Sequence, residues 1–234
     1  LVVRAAGRVP GLYAIRNQPG GERQFFYWRD QAPARDLFGF RESTALAARL
    51  ARYELVYLSG ISLSLYSPAD RETLFAVLDA ARTAGSRVVF DTNYRPRGWP
   101  DAATARDVMT ALLARVDIAA PTLGDDIAVF GDADATSCAD RLHAAGVAEV
   151  VVKLDAEGCL VSMDGVRKLV PTVPRADPVD TSAAGDSFNA GYLAARLAGA
   201  APATAARHGH RLAGEVIMHR GAIIPRDAMP GSNL

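Results

Sequence analysis

The chain has 234 residues, half of them apolar, and its 26 basic side chains balance its 26 acidic ones. That size and apolar content favour one large α/β domain, or a domain with a small appendage. The balanced charge, without a long charged run, argues against a nucleic-acid or membrane-surface partner and favours a small molecule. No apolar run is long enough to span a membrane, and two cysteines suggest neither a disulfide framework nor a paired-thiol metal site. We therefore expect a protein of the reducing cytoplasm.

The first 40 residues predict a β-hairpin. Its strands are residues 13–16 and 24–29, joined by the turn Gln18-Pro19-Gly20-Gly21. Alternation along the second strand places Phe25, Tyr27 and Arg29 on one face, and Phe26 and Trp28 on the other.

One face of this hairpin can present a phenol and a guanidinium together, from Tyr27 and Arg29. Arginine binds carboxylates through two hydrogen bonds, so the pair suits a sugar acid better than a neutral sugar. The alternative is a half-exposed strand with a surface arginine.

From about residue 54 the sequence alternates β-branched runs with helical segments, which is typical of a parallel sheet covered by helices. Three later strands, separated by the turns Glu157-Gly158 and Asp164-Gly165, indicate an antiparallel meander at one edge of the sheet. The predicted strands are 54–58, 87–90, 117–119, 149–154, 159–163 and 166–173. The predicted helices are 68–84, 102–115, 124–130, 137–145, 186–198 and 201–220.

The segment from Asp180 to Gly191, Asp-Thr-Ser-Ala-Ala-Gly-Asp-Ser-Phe-Asn-Ala-Gly, predicts a phosphate site at the start of a helix. Ala183, Ala184 and Gly185 have almost no side chain, so their N–H groups can approach an anion where the helix dipole is positive. Asp186, in the first turn, can take a proton from an attacking hydroxyl. The alternative is that Gly185 and Asp186 only cap the helix.

This segment resembles the Asp-Thr-Thr-Gly-Ala-Gly-Asp signature of the PfkB-type, ribokinase-like carbohydrate kinases. Alanine at position 183, in place of glycine, resembles the branch of 2-keto-3-deoxygluconate kinases. The resemblance implies a ribokinase-like α/β fold, with a mainly parallel sheet flanked by helices, an antiparallel edge and a partial β-strand lid. It implies transfer of the γ-phosphoryl group of ATP to a hydroxyl of 2-keto-3-deoxygluconate with Mg²⁺. Asp186 would be the base, and the amides of residues 183–186 would form the anion hole.

The resemblance also assigns the hairpin, within residues 1–40, to the lid, and residues 41–234 to the kinase domain that binds nucleotide and substrate. Tyr13, Tyr27 and Arg29 would hold the substrate. Family members often use this lid to dimerise as well, so we expect a homo-oligomer. The chain begins at Leu1, without Met, and lacks the strand and glycine-rich region that precede the lid segment in the family. We therefore expect that residues before Leu1 are missing.

Polar residues follow the strand 87–90 in the run Asp91-Thr92-Asn93-Tyr94-Arg95. Ligands bind beyond the carboxyl ends of strands in open α/β sheets. Similar kinases have an Asp-x-Asn-x-Arg run here, which makes Arg95 a candidate for the substrate and Asn93 a candidate for the nucleotide. Arg97 fits less well and is equally consistent with a solvated loop arginine.

Three further segments resemble family motifs but depart from them. Lys153 and Gly158 match a loop on the nucleotide side, in which Asp155 replaces the usual glycine. Asp125 takes the place of the glutamate in an Asn-x-x-Glu motif associated with Mg²⁺. Asp180 and Ser182 would help bind a monovalent cation such as K⁺, although ordinary turn hydrogen bonding accounts for them equally well.

Two other functions stay open from the sequence. One is a kinase for a neutral sugar such as fructose or ribose, against which the pair of Tyr27 and Arg29 argues. The other is a non-catalytic module that binds sugar or nucleotide. The chain has no P-loop, no dinucleotide-binding Gly-x-Gly-x-x-Gly and no Gly-x-Ser-x-Gly elbow.

Overall fold

The computed structural model describes residues 2–17 and 23–231, and within them the strands form two sheets. The smaller sheet is an antiparallel pair, β1 (Leu12–Asn17) and β2 (Arg23–Trp28), in which Tyr13 lies opposite Tyr27. These strands confirm the predicted hairpin. Its turn, Gln18-Pro19-Gly20-Gly21, lies outside the described residues, as do residues 232–234.

The larger sheet has six strands in the order in which they occur along the chain. They are β3 (Leu55–Ser59), β4 (Arg87–Asp91), β5 (Ile118–Ala119), β6 (Glu149–Lys153), β7 (Cys159–Met163) and β8 (Val166–Val170). The pairs from β3 to β6 are parallel, and the pairs β6–β7 and β7–β8 are antiparallel. The prediction of a mainly parallel sheet with an antiparallel edge is confirmed.

Helices cover both faces of this sheet. They are α1 (Ser43–Leu50), α2 (Gly60–Leu65), α3 (Pro68–Thr83), α4 (Ala102–Leu113), α5 (Leu123–Phe130), α6 (Ala135–Ala144), α7 (Ala184–Leu197) and α8 (Pro202–Val216). Short 3-10 turns occur at Pro33–Gly39, Pro96–Gly98, Asp155–Glu157 and Arg226–Ala228. Side-chain oxygens of Ser67, Asp101 and Asp134 accept backbone N–H groups at the starts of α3, α4 and α6. None of the described helices combines the length and the apolar character that a membrane span needs.

The core lies on both sides of the sheet because alternate residues of each strand point to opposite faces. In β4, Val88 and Phe90 belong to the cluster that packs against α3, α4 and α6, whereas Val89 belongs to the cluster under α7 and α8. Val151 of β6 shares that second cluster. Burial on both faces explains why these strands are continuous apolar runs in the sequence.

Two helices, α1 and α2, were not predicted. The segment Gly60–Leu65 alternates apolar residues with serine, a pattern that resembles a strand more than a helix. It is helical in the structure, with Leu63 fully buried. Gly60 permits this packing, because a Cβ atom there would lie 2.1 Å from the Thr92 carbonyl oxygen. The close approach places α2 against the loop that follows β4.

Candidate active site

The first turn of α7 contains the predicted phosphate site, residues 183–186, which we call the anion cradle. Ala183 precedes the helix with φ of 59°, a left-handed conformation that glycine adopts more easily. The Ala184 N–H donates to the Thr181 carbonyl at 3.3 Å. Among the described residues, no backbone carbonyl accepts from the N–H groups of Gly185 or Asp186. Two donors at the positive end of a helix are therefore available to an anion.

The Asp186 side chain is exposed at the same helix end. It forms no hydrogen bond or ion pair with any residue in the ranges 2–17 and 23–231. It lies close enough to Tyr57 to raise the pKa of that phenol, after the larger effects of burial and of the Asp91 carboxylate. A carboxylate that is exposed, and that no other side chain engages, can accept a proton from a ligand.

Asp180 connects the loop before α7 with the chain after α8. It is buried, and its Oδ1 and Oδ2 accept the N–H groups of Ser182 at 2.9 Å and of Gly221 at 3.1 Å. The bond to Ser182 is the turn hydrogen bonding that the sequence left open, whereas the bond to Gly221 joins residues 41 positions apart. The role of Asp180 and Ser182 in cation binding stays a prediction.

Beneath the first turn of α7, Lys153 is buried at the end of β6. Its Nζ donates to Asp91 Oδ2 at 2.8 Å and to Asn189 Oδ1 at 3.3 Å. Asn189 Nδ2 in turn donates to the same Asp91 oxygen at 2.7 Å and to the Tyr57 hydroxyl at 3.3 Å. Lys153 was a predicted nucleotide residue, whereas Asp91 and Asn189 lie inside the two quoted motifs without having been given a role.

The loop after β4 is held in place by carboxylates at both of its ends. The Asn93 N–H donates to Asp91 Oδ1 at 3.2 Å, and Asn93 has φ of 32°. Asp125, at the start of α5, accepts the Tyr94 N–H at 3.2 Å, and the Arg95 guanidinium lies 3.5 Å from both of its oxygens. Burial raises the pKa of Asp125, and the Arg95 charge opposes that rise. Asp125 and Arg95 therefore belong to one cluster.

A cavity of about 450 Å³ lies beside the α7 cradle. Predicted nucleotide residues line it, among them Lys153, Gly158 and Gly185. Gly158 has φ of 109°, and a Cβ atom there would lie 2.2 Å from the Val170 carbonyl oxygen, so the turn requires glycine. Asp155 in the same loop has φ of 50°, the left-handed geometry that aspartate tolerates, and it is exposed.

Two residues of this cavity, Phe188 and His210, were not predicted. The His210 ring lies 4.9 Å from the Phe188 ring, and its Nε2 lies 3.1 Å from the Val170 carbonyl oxygen. Burial lowers the pKa of His210, which favours the neutral ring, and the hydrogen bond to the Val170 carbonyl opposes this shift. An apolar aromatic wall next to an anion cradle suits a ligand with both a flat ring and phosphates.

A larger cavity of about 1060 Å³ lies between β2, α2 and the loop after β4. Four arginines line it: Arg29, Arg35, Arg95 and Arg97. The Arg29 guanidinium carbon lies 4.3 Å from the centre of the Tyr27 ring, as expected for two residues on one face of the strand. Tyr13 contacts Tyr27 at 6.4 Å between ring centres but does not line the cavity.

The comparison with known proteins agrees with this geometry. The family model described as pfkB family carbohydrate kinase matches residues 1–229. The chain belongs to the PfkB family of carbohydrate kinases. Within this family, it is 46% identical over 233 residues to the 2-dehydro-3-deoxygluconokinase of Escherichia coli K12, and 45% identical to that of Dickeya dadantii. In both comparisons the match covers 98% of this chain and 75% of the relative.

The PfkB fold is also found in solved structures similar to this chain. One is described as a putative ribokinase II from E. coli in complex with ATP and Mg²⁺. It has a TM-score of 0.73 and 20% sequence identity, and the match covers 86% of this chain and 63% of that one. The ribokinase-like fold expected from the sequence is confirmed, and the chain is a sugar kinase of the PfkB family.

Two cavities bring together most of the side chains predicted to bind nucleotide or substrate. The small cavity brings together Lys153, Gly158 and Gly185, and the large one brings together Tyr27, Arg29 and Arg95. Asp186 lines neither of these two cavities. Arg35 is a further lining residue that no motif indicated. Its Nε is buried without a hydrogen-bond partner among the described residues.

The residues present fit a magnesium ion held mainly by phosphates. Among the described residues, the one group of three potential ligands is Asp126, Asp132 and Cys138. Arg141 already fills that group, with its Nη2 at 2.6 Å from Asp126 and 2.7 Å from Asp132. Asp125 lies outside it, next to Asn93, whose Oδ1 is buried without a partner in the described part of the chain. Mg²⁺ in phosphoryl-transfer sites usually keeps waters and substrate phosphates and takes one or two carboxylates, so such a site needs few protein ligands. The role of Asp125 in binding Mg²⁺ stays a prediction.

Proposed function

We propose that this chain transfers the γ-phosphoryl group of ATP to a hydroxyl of 2-keto-3-deoxygluconate. The observation that carries the proposal is the first turn of α7. It offers the N–H groups of Gly185 and Asp186 without backbone acceptors and the Asp186 carboxylate without a partner among the described residues. Phosphoryl transfer uses a carboxylate that can accept the hydroxyl proton, next to N–H groups that can bind the phosphoryl oxygens.

In the proposed reaction, the oxygen of the substrate hydroxyl forms a bond to the γ-phosphorus, and Asp186 accepts the proton of that hydroxyl. The bond from that phosphorus to the bridging oxygen breaks, and ADP leaves. The N–H groups of Gly185 and Asp186 and the α7 dipole stabilise the charge on the phosphoryl oxygens. Left-handed geometry at Ala183 turns the chain so that these donors point to one side of the helix start.

The nucleotide is proposed to bind in the cavity beside α7, with its ring near Phe188 and His210 and its phosphates toward Lys153 and Gly185. Asn93 would contact its phosphates from the β4 loop. Mg²⁺, when bound with ATP, would neutralise phosphate charge, and Asp125 would be the carboxylate that holds it. We further propose that Asp180 and Ser182 lie near a monovalent cation such as K⁺.

The acid group of the sugar is proposed to bind at the large cavity. Four arginines and one aspartate, Asp30, line it, so the lining carries a net positive charge. Arg29 lies against the Tyr27 ring, which orients its planar guanidinium group. A neutral sugar such as fructose or ribose has no need of this charge, which is why we favour a sugar acid. Tyr13 supports Tyr27 through ring contact.

The hairpin is also proposed to join two copies of the chain. Leu12, Tyr13 and Trp28 are each about half exposed or more, at 61%, 49% and 60%. Apolar side chains on one small sheet are typical of a surface that another protein covers. We place the protein in the reducing cytoplasm, which suits the free thiols of Cys138 and Cys159.

A coupled assay of ATP consumption tests the proposed function. Purified protein would be offered 2-keto-3-deoxygluconate, the neutral sugars fructose and ribose, and gluconate as a sugar acid without the keto group. We expect the highest kcat/KM on 2-keto-3-deoxygluconate and formation of its phosphate ester, identified by ³¹P NMR. Equal or better turnover of fructose or ribose would overturn the substrate assignment, and absence of turnover on all four would overturn the kinase proposal for this chain.

A further inference from the structure

A network of four polar side chains lies under the α7 cradle, and each comes from a different element; three of the four are buried, and Tyr57 is 43% exposed. They are Tyr57 of β3, Asp91 of β4, Lys153 of β6 and Asn189 of α7. Lys153, Asp91 and Asn189 are 7%, 2% and 3% exposed, so their hydrogen bonds compete little with water. The network therefore fixes the Lys153 ammonium relative to α7 and to the loop after β4.

The geometry of α7 brings the ammonium next to the anion cradle. Gly185 and Asn189 are four residues apart, so they lie on the same face of the helix, one turn above the other. Asn189 accepts a hydrogen bond from Lys153 Nζ, and a Cβ atom at Gly185 would lie 3.7 Å from the same nitrogen. The positive charge of Lys153 thus lies directly behind Gly185, whose N–H has no backbone acceptor among the described residues.

The ammonium group has capacity left for a ligand. It has three N–H donors, and the described residues engage two of them, through Asp91 and Asn189. Lys153 also lines the cavity proposed for the nucleotide, together with Gly185. Asp91 and Asn189 take the hydrogen bonds on the protein side, and the remaining donor is available on the cavity side.

Stability alone does not account for this ion pair. Burying two charges costs several kcal/mol each, and well-packed apolar residues of similar volume are often as stable. The chain contains only two lysines, Lys153 and Lys168, among its 26 basic residues, so the buried cation is a compact ammonium in a chain that otherwise uses arginine. A compact charge beside a phosphate site acts as a point charge that leaves room for the ligand.

We propose that Asp91 and Asn189 are positioning residues that hold the Lys153 ammonium behind the first turn of α7, where it stabilises the phosphoryl group during transfer. This inference rests on the function proposed above. Asp91 has a second positioning contact, because its other carboxylate oxygen accepts the Asn93 N–H. The Asp91 carboxylate therefore fixes the positions of both the Lys153 ammonium and the loop after β4.

The first test replaces Lys153 with methionine and compares it with Lys168→Met, a matched change at an exposed residue of the nearby strand β8. We expect Lys153→Met to lower kcat by about 10- to 100-fold, less than the roughly 10²- to 10³-fold loss of a direct oxyanion donor. KM for the sugar acid should stay within about threefold, because Lys153 is outside the sugar cavity. Lys168→Met should match the wild type, and wild-type kcat in Lys153→Met would overturn the proposal.

Lys153→Met leaves Asp91 buried without its cation, so a loss of folding is a competing cause. The double variant Asp91→Asn/Lys153→Met removes both charges and avoids the unpaired one. Asp91→Asn keeps a carbonyl oxygen that can accept the Asn93 N–H, so the contact with the β4 loop can persist. If Asp91 acts on transfer through Lys153, Asp91→Asn alone should lower kcat, and adding it to Lys153→Met should cause no further loss. Full additivity, or recovery of wild-type kcat in a folded double variant, would show that the pair is structural only.

Calorimetry of ADP and adenosine separates this inference from the kinase proposal, because it needs no turnover. In the double variant, ADP affinity should fall by about tenfold while adenosine affinity is unchanged, since only ADP places phosphates at the α7 cradle. Equal affinity changes for both ligands would overturn the inference even if the wild type is an active kinase. A selective loss for ADP would support it even if no sugar acid is phosphorylated.

Discussion

The proposed nucleotide side of the site is made of α7 backbone and of residues buried in the six-stranded sheet, whereas the proposed sugar side is made of partly exposed side chains. Lys153 is 7% exposed, but Tyr27 is 39% exposed. The nucleotide side uses backbone N–H groups that any small residue can supply, and the sugar side uses the particular forks and rings of arginine and tyrosine.

This difference predicts which property of the enzyme a substitution on each side should alter. Backbone donors held by a packed core are pre-organised, so changes near them should alter kcat or the stability of the fold. Side chains on a two-stranded sheet mainly choose the ligand, so changes there should alter KM and the choice of substrate. Four predictions test this contrast.

The largest effect is expected for Asp186→Asn. The amide keeps the shape of the side chain but cannot accept the proton, so kcat should fall by about 10²- to 10⁴-fold. Steady-state kinetics measures the loss, and the melting temperature should be unchanged because Asp186 has no partner among the described residues. Asp177→Asn, at an exposed aspartate of the loop before α7, is the control and should behave as wild type. Retention of kcat in Asp186→Asn would reduce Asp186 to a helix-capping residue.

The next effect concerns the turn between β6 and β7. Gly158→Ala places a Cβ atom 2.2 Å from the Val170 carbonyl oxygen at a φ of 109°. We expect the free energy of unfolding, measured in urea, to fall by about 3 kcal/mol. Gly165→Ala is the matched control in the next turn, where φ is 74° and no atom lies within 4 Å of the new Cβ. It should cost about 1 kcal/mol, from the left-handed backbone alone. Similar losses in both variants would mean that the close contact relaxes easily.

On the sugar side, Arg29→Lys keeps the charge and removes the planar fork. KM for 2-keto-3-deoxygluconate should rise about tenfold with little change in kcat, because a lysine cannot grip the carboxylate with two hydrogen bonds. Arg16→Lys is the control, since Arg16 also stacks on an aromatic ring of the hairpin, at 5.3 Å from Phe26, but does not line the cavity. An equal rise in KM for a neutral sugar would show that Arg29 does not act by binding the carboxylate of the substrate.

The smallest effect is expected at the start of α7. Ala183 has φ of 59°, so Ala183→Gly relieves left-handed strain and should stabilise the protein by up to about 1 kcal/mol, partly offset by unfolded-state entropy. Ala184→Gly, one position later inside the helix, should instead destabilise by about 1 kcal/mol. Chemical denaturation of the two variants measures the sign of the change in the free energy of unfolding for each. The same sign for both would mean that the cradle is not strained at Ala183.

Much of the fold follows from local patterns in the sequence. The strands of the large sheet are short apolar runs between helix signals, and the meander is marked by Glu157-Gly158 and Asp164-Gly165. The helix α2 was missed because Gly60–Leu65 has a strand-like alternation. Its conformation depends on packing against Thr92, a contact that lies far away along the chain.

The sequence by itself determined the α/β rhythm, the hairpin and the Asp180–Gly191 motif, because each is a relation between residues close together in the chain. Only the tertiary structure decided which side chains meet across elements. Asn189 is 98 positions from Asp91 and 36 from Lys153, yet all three share hydrogen bonds under α7. Likewise, Arg35 lines the larger cavity, proposed to bind the sugar, without any motif around it. The order of strands in the sheet and the packing of helices on it determine these long-range contacts, and no local periodicity in the sequence predicts them.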